Sequence, residues 1–509
     1  MLCRVFSMGL LGIDAYEVIV EVDFSTGMPT FELVGLADTA VKESKERVKT
    51  ALKNCGFLFK SGKIIINLAP ADIKKVGPLY DLPILLGILI ASEQLKANLD
   101  GCCFFGEISL GGEVRNCFGV LPMVLKAKEK GFKRVFVPKV NLKEASVVRG
   151  IEIFGVSTIE DIVCFLNGEE DRLEKGEFEK VNFEDEKFDV DFSEVRGQFL
   201  AKRAIEIAAA GGHNLLMVGP PGSGKSMLAK RIPTILPKLD LEEAIEVTKI
   251  YSIAGKMPSE NSLITVRPFC APHHSISTAG LSGGGASVRP GELSMAHNGV
   301  LFLDEFPEFK RDVKEILRQP MEDGTITLTR ASLSVCYPCS CLVVAAMNPC
   351  PCGYFGHPTR SCSCSQTKVL KYLAKVSGPI LDRLDIHVSV DPVEFDSLSG
   401  SFDEESSREI RERVVKARDL QKKRYTNFPF SYNAKLNKKG LKEFCILSKE
   451  AKNMLEEVFI KFSMSARTYD KILKISRTIA DLENEEEIKD SHVAEAIQYR
   501  IMDRKYFFK

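Results

Sequence analysis

Residues 214–232 read NLLMVGPPGSGKSMLAKRI. An apolar run at 214–218 enters a glycine-rich turn and the helix-forming MLAKRI leaves it, so the pattern predicts strand, loop and helix around a full GxxxxGK[ST]. Gly219, Pro220, Pro221, Gly222, Ser223 and Gly224 form a turn whose backbone N–H groups, with the N-terminus of the next helix, can surround the β- and γ-phosphates of ATP. Lys225 adds a point charge and Ser226 a hydroxyl ligand for Mg²⁺. A purely structural glycine turn is the bland alternative, and the flanking strand and helix argue against it.

Further on, VLFLDEF at 300–306 is a short apolar strand that delivers two carboxylates at its C-terminal end. Asp304 can hold Mg²⁺ through water, and Glu305 can polarise an attacking water, so the pair implies hydrolysis rather than binding alone. A third apolar run, 342–347, ends at Asn348, whose amide can orient that water or report the γ-phosphate. Two arginines complete the set by pattern, Arg383 in GPILDRLD (378–385) and Arg467 in SARTYD (465–470). A guanidinium supplied by a neighbouring subunit is worth ~10³ to 10⁵ in rate, so a lone subunit is expected to be a poor ATPase. On spacing alone, both arginines also read as ordinary helix-surface residues.

The 509 residues suggest about three domains at ~150 residues each. Hydrophobic residues at 45% and charged residues at 27% mark a globular chain, and 69 basic against 69 acidic residues exclude a protein that holds nucleic acid by global charge. The longest apolar stretch, 82–91, is about half the ~20 residues a membrane span needs, and Asp14 interrupts any leader, so the expected location is the cytoplasm with no membrane partner. Residues 168–190 carry ten acidic and four basic residues with little apolar periodicity and are expected to be a solvated linker. The predicted domains are therefore 1–168, an acidic linker at 169–190, an ATPase core at 191–395, and helices at 396–509. Strands are predicted in the first domain at 17–22, 63–67, 134–137 and 151–156, with helices at 39–54 and 121–130.

With these residues in place, the chain resembles the YifB/ComM family of magnesium-chelatase-like AAA+ ATPases essentially end to end. The resemblance rests on PFCAPHH (268–274), RPGELS (289–294), LRQPMEDG (317–324), MNPCPCG (347–353) and ISRTIADL (475–482). It implies an α/β fold: a P-loop AAA+ parallel-sheet domain with a C-terminal helical lid, after a Lon-protease-like (ribosomal S5-like) α+β domain. It also implies an arginine finger at Arg383, a second sensor at Arg467, and a ring of identical subunits, expected to be a hexamer, with ATP between neighbours. The expected task is DNA helicase or branch-migration work in recombination or natural transformation. A magnesium-chelatase motor subunit and an ATP-driven protein-remodelling module are the competing functions.

The same family resembles helicase-type AAA+ proteins with a hairpin before the first sensor. Here 325–329 alternates with period two, 330–332 reads as a turn, and 333–335 alternates again, which places Arg330 near the tip, facing a pore and a DNA backbone. A solvent-exposed hairpin arginine is the competing reading. The glycine-rich insert 275–290 matches a second pore element. Backbone contacts of this kind carry salt dependence and little sequence preference.

The N-terminal resemblance to the Lon proteolytic domain rests on IINLAPAD (65–72), FGEISL (105–110) and VFVPKVN (135–141). Where that protease has GPSAG, this chain has Gly77-Pro78-Leu79-Tyr80-Asp81, and no lysine stands in GVLPM (119–123). A leucine cannot attack a carbonyl, so the domain is expected to be a catalytically dead scaffold, and its partner is unidentified.

Seven of the fifteen cysteines fall within 336–364. Cys350, Cys352, Cys362 and Cys364, in two CxC pairs, could take a tetrahedral Zn²⁺. Reduced buried thiols and a redox-active disulfide stay open, with Cys336, Cys339 and Cys341 as alternative ligands or pairings.

Overall fold

The computed structural model describes residues 2–178, 183, 188–258, 262–285, 288–330, 333–392 and 404–506. Among them, a mixed sheet with covering helices is followed by a parallel-sheet core and then by helices. No helix of the described residues is long and apolar enough to cross a membrane.

The N-terminal sheet has eight strands, in the spatial order Glu174–Lys175, Glu152–Val156, Arg134–Pro138, Cys102–Phe104, Leu2–Leu11, Asp14–Ser25, Lys63–Ala69 and Thr30–Val34. Leu2–Leu11 and Asp14–Ser25 form an antiparallel hairpin, and Val18, Val20 and Val22 point to the core with the period of two that an extended chain imposes. Helix Thr39–Asn54 begins where its pattern predicts because the Asp38 carboxylate caps it, accepting from the Val41 N–H at 2.8 Å. Helix Asp81–Ala91 is apolar on every side and is enclosed accordingly. Its one charge, Asp81, is met by Arg47 at 2.7 and 3.0 Å.

The acidic stretch departs from its expected character. Residues 170–172 make a single 3-10 turn, and Glu174–Lys175 pairs antiparallel with Gly155 and Phe154, so this part is a strand of the sheet rather than solvated linker. Backbone pairing is indifferent to side-chain charge, and an edge strand can keep its charges in water. Residues 179–182 and 184–187 of the same stretch lie outside the described residues.

The core sheet runs Phe269–Cys270, Val300–Leu303, Leu342–Met347, Leu215–Val218 and Ile386–Ser389, with every neighbouring pair parallel. Helices cover both faces of such a sheet, which is why its strands read as unbroken apolar runs. Before Leu342–Met347 stands an antiparallel hairpin, Thr325–Arg330 with Leu333–Pro338, three residues longer on its second arm than the alternation predicts. The backbone of Arg330 closes the ladder against Leu333. The Arg330 side chain and residues 331–332 lie outside the described residues. The glycine-rich insert forms a short helix, Thr278–Ser282, and a two-rung ladder, Gly283–Gly284 with Arg289–Pro290; residues 286–287 lie outside the described residues.

The N-terminal unit seats on the core beside these elements. Leu239, Ala244 and Leu263 join its hydrophobic core, and the Gly119 N–H donates to the Ser252 carbonyl at 3.1 Å. The turn at Gly12 touches Val335 of the hairpin, so closely that a Cβ on Gly12 would lie 2.3 Å from Val335 Cγ1. The Arg289 guanidinium lies 4.8 Å from the Phe118 ring centre.

Ser407–Arg424, Lys438–Phe444, Lys449–Lys461, Ala466–Leu482 and Asp490–Tyr506 are the C-terminal helices. They are tied to the core by buried polar pairs. Asp385, just before strand Ile386–Ser389, meets Lys471 at 3.1 Å and accepts from the Asn214 N–H at 3.3 Å. Burial works against its charge, but Lys471 and His213 outweigh that and hold the carboxyl far below the usual carboxylate range. Removing it leaves Lys471 buried without its partner. Asp385→Ala is therefore expected to lower the stability of the core by about 3–5 kcal/mol in urea unfolding. Because the folded carboxyl is depressed, the contribution is present above the free value of ~3.9 and fades as pH falls below it. A loss under about 1 kcal/mol, or wild-type acid sensitivity in the variant, would contradict the anchoring role.

Candidate active site

The parallel register brings the predicted residues to one edge. Val218 pairs with Met347 and Leu303 with Ala345, so the glycine-rich turn, Asp304 and Asn348 all emerge at the C-terminal ends of adjacent strands. The Gly219 N–H donates back to the Met347 carbonyl at 3.2 Å, and a Cβ at Gly219 would lie 2.2 Å from the Val390 carbonyl oxygen. Only glycine fits there. Gly224, at φ +90°, turns the chain into helix Lys225–Ile235, which puts Lys225 on the first helical residue.

Lys225 is buried, and its ammonium folds back on the turn. It donates to the carbonyls of Gly219 at 2.7 Å and Pro220 at 2.8 Å, and to Asn348 Oδ1 at 3.3 Å. Burial pulls its pKa down to about 8 against the opposing pull of Asp304. A buried cation bonded to neutral oxygens is a site awaiting an anion. Beside it, Ser226 Oγ donates to Asp304 Oδ2 at 2.6 Å, and Asp304 Oδ1 accepts from the Glu305 N–H at 2.9 Å. Hydroxyl plus carboxylate is a hard, all-oxygen donor set that fits Mg²⁺.

Glu305 stands in the left-handed region at φ +51°, with its carboxylate largely exposed. His274 Nδ1 lies 3.2 Å from its Oε2. The register explains the meeting: Phe269 pairs with Val300 and Cys270 with Leu301, and His274 and Glu305 each stand four residues past the second rung. In the sequence PFCAPHH is a family stretch in which His274 has no task of its own. The available signal was the equal offset from two strand ends.

The two arginines lie apart from this cluster in their bonding. Arg383 donates to the Arg318 carbonyl at 3.0 Å and the Pro379 carbonyl at 2.7 Å, and pairs with Glu322 at 2.7 Å. All three partners are remote in sequence from the glycine-rich turn. Arg467 is exposed in the first turn of helix Ala466–Leu482, whose N-terminus is capped by Ser465.

Directly after Asn348, the sulfurs of Cys350, Cys352, Cys362 and Cys364 all lie within 4.8 Å of one another. Cys350 and Cys352 are 3.3 Å apart, Cys350 and Cys362 3.6 Å, and Cys352 and Cys362 3.5 Å. Zn–S bonds of ~2.3 Å in a tetrahedron space sulfurs by about 3.8 Å, so this donor set fits Zn²⁺ with a small expansion. The Tyr354 N–H leads the influences that bring the Cys352 thiol down to about 5, while the thiols of Cys350, Cys362 and Cys364 are raised. Among the described residues, Cys336, Cys339 and Cys341 are not part of the cluster.

Comparison with known proteins follows the same division. A family model described as Magnesium chelatase, subunit ChlI matches residues 191–398; Subunit ChlI of Mg-chelatase matches 20–141; Magnesium chelatase, subunit ChlI C-terminal matches 404–500. The chain is 43% identical to competence protein ComM of Haemophilus influenzae over 99% of its length and 98% of that protein. It is 41% identical to YifB of Escherichia coli, over 98% of this chain and 97% of that protein. It is 39% identical to YifB of Salmonella typhimurium, over 99% and 98%.

If His274 orients the Glu305 carboxylate, His274→Ala should lower ATP turnover about tenfold while leaving nucleotide affinity within about twofold. Steady-state turnover and titration with a fluorescent ADP analogue measure the two. Unchanged or raised turnover would contradict the pairing's role.

Proposed function

This chain belongs to the ComM/YifB family of magnesium-chelatase-like AAA+ ATPases and hydrolyses ATP, and we propose that it is a ring-forming motor that moves DNA through or along its pore during recombination or natural transformation. One observation carries the reading. The hairpin Thr325–Arg330 and Leu333–Pro338 runs within four residues into strand Leu342–Met347, which ends at Asn348 on Lys225. A push on the hairpin therefore has a stiff path to the phosphates. The name of the Haemophilus relative, a competence protein matched over nearly its whole length, favours DNA over porphyrin as the object of the work.

In this reading Lys225 and the backbone of residues 219–224 bind the β- and γ-phosphates, and Ser226 and Asp304 would hold Mg²⁺. Bound Mg²⁺ supplies charge neutralisation across the phosphates. Glu305, steered by His274, accepts the proton of the attacking water; Asn348 and Arg467 sense the γ-phosphate. Arg383 leaves Glu322 to reach the neighbour's ATP, which makes the site a property of the ring, hexameric by family pattern. Arg330 contacts DNA backbone without sequence preference. Cys350, Cys352, Cys362 and Cys364 hold Zn²⁺. The protein works in the cytoplasm.

The N-terminal unit is a Lon-protease-like, S5-like domain without protease activity. Leu79 is buried at the position of the missing nucleophile, and the nearby Ser44 hydroxyl is committed to Asp81.

Two outcomes are expected. Glu305→Gln keeps nucleotide binding while turnover falls 10²- to 10⁴-fold, a range that follows from losing the general base; near-normal turnover would remove Glu305 from that role. ATP turnover rises when branched, single-stranded or duplex DNA is added, and Arg330→Ala weakens DNA affinity about tenfold, with a shallower salt dependence. Turnover indifferent to all three DNA forms would contradict the motor reading.

A further inference from the structure

From Asn348 to Ser365 the chain forms neither helix nor strand. The stretch NPCPCGYFGHPTRSCSCS offers two large apolar side chains. Phe355 is exposed, and Tyr354 is turned to Arg360, whose Nη1 donates to its hydroxyl at 2.9 Å. What faces inward is the four sulfurs, with Cys350 fully buried. Within the loop the other contacts are local ones around His357, whose N–H donates to the Tyr354 carbonyl at 3.2 Å and whose Nδ1 accepts from the Thr359 and Arg360 N–H groups at 3.2 and 3.1 Å, so among the described residues the cysteines alone join its two ends.

That shape matters because the loop grips the phosphate-binding turn twice. At its start, Asn348 Oδ1 accepts from Lys225 at 3.3 Å. Five residues on, Gly353, at φ +85°, lies against Pro221: a Cβ there would be 2.3 Å from Pro221 Cδ and 2.7 Å from Cγ. Cys350 and Cys352 stand between the two grips, and the Gly353 N–H donates to the Cys350 carbonyl at 3.0 Å. The metal ligands and the clamp on the P-loop are thus one continuous turn of chain.

We propose that the cysteine loop is a zinc-dependent clamp on the ATP site. With Zn²⁺ bound, the four thiolates fix the loop so that Gly353 holds Pro221 and Asn348 holds Lys225, keeping the turn shaped for phosphates. A closed four-sulfur site leaves no open coordination position, so the metal acts on structure and takes no part in hydrolysis. Without it, only weak hydrogen bonds to sulfur join the four cysteines, the loop leaves Pro221, and nucleotide affinity falls. The inference rests on the zinc reading above, and adds to it that the metal governs nucleotide binding.

The test is made on the full-length protein. Zinc content is measured by elemental analysis, and affinity by titration with a fluorescent ADP analogue, for the wild type, for wild type stripped by a soft-metal chelator that leaves Mg²⁺ in place, and for Cys362→Ser with Cys364→Ser. Two glycine variants separate the clamp from the metal. Gly353→Ala keeps all four ligands but drives a Cβ into Pro221, whereas Gly356→Ala places a Cβ where nothing lies within 4 Å, on a similar φ of +76°. One zinc per chain is expected in the wild type and both glycine variants. Affinity should fall about tenfold or more in the stripped protein, the double cysteine variant and Gly353→Ala, the size of effect that a strained, displaced turn produces, and change less than about twofold in Gly356→Ala. A wild type without zinc overturns the metal assignment and the clamp together. Zinc that is present, and lost without change in nucleotide affinity, overturns the clamp alone. A Gly353→Ala variant that binds nucleotide normally does the same, and circular dichroism on each variant excludes global unfolding as the cause of a fall.

Discussion

A lysine ammonium buried among neutral oxygens is the constraint around which this molecule is arranged. Lys225 has left water, and the atoms it touches, two backbone carbonyls, the Ser223 hydroxyl and the Asn348 amide, solvate it without neutralising it. Its nearest acidic neighbour in the site, Asp304, is engaged by the Ser226 hydroxyl. Such a group is tolerable only where an anion arrives to complete it. The parallel sheet makes the arrangement cheap to build, because register alone delivers the turn, the two carboxylates and the amide to one edge. Asp304, Glu305 and Asn348 directly follow strand ends, and Lys225 and Ser226 follow one glycine-rich turn further on.

The second constraint is what that edge lacks. Arg383, the residue that by family pattern completes the γ-phosphate's surroundings, is bonded to Arg318, Pro379 and Glu322 in its own chain. In the ring proposed above, Arg383 would leave these partners for a neighbour's ATP, and the hairpin before Asn348 would carry events in the pore to the phosphates. The N-terminal unit touches the same elements, since its Gly12 turn rests on Val335 of that hairpin and its Phe118 lies under Arg289 of the glycine-rich insert.

What could be read from the chain, and what could not, divides along a physical line. Strands 300–303 and 342–347 and helix 39–54 are legible because continuous apolar runs and an aspartate cap are local signals. The glycine-rich turn with Lys225, Ser226, Asp304 and Asn348 is legible because its chemistry demands fixed residue types at fixed spacing. Tertiary register is not written locally. The Glu174–Lys175 strand is recruited by an open sheet edge despite its charge, His274 meets Glu305 through strands paired thirty-one residues apart, and Gly353 meets Pro221 across the site. The four-cysteine cluster lies between these cases: the spacing suggests a metal, and only the folded loop separates its four sulfurs from the other three nearby.

The shared active site is tested most directly by mixing two inactive proteins. Lys225→Ala keeps Arg383 but loses its own pocket, and Arg383→Ala keeps the pocket but loses the finger. If ATP is held between neighbours, each variant alone should be nearly silent, and their mixture, assembled at concentrations that support rings, should recover ATP turnover at the mixed interfaces. Full turnover by Arg383→Ala alone, or a mixture as silent as its parts although the two proteins co-assemble, would contradict it.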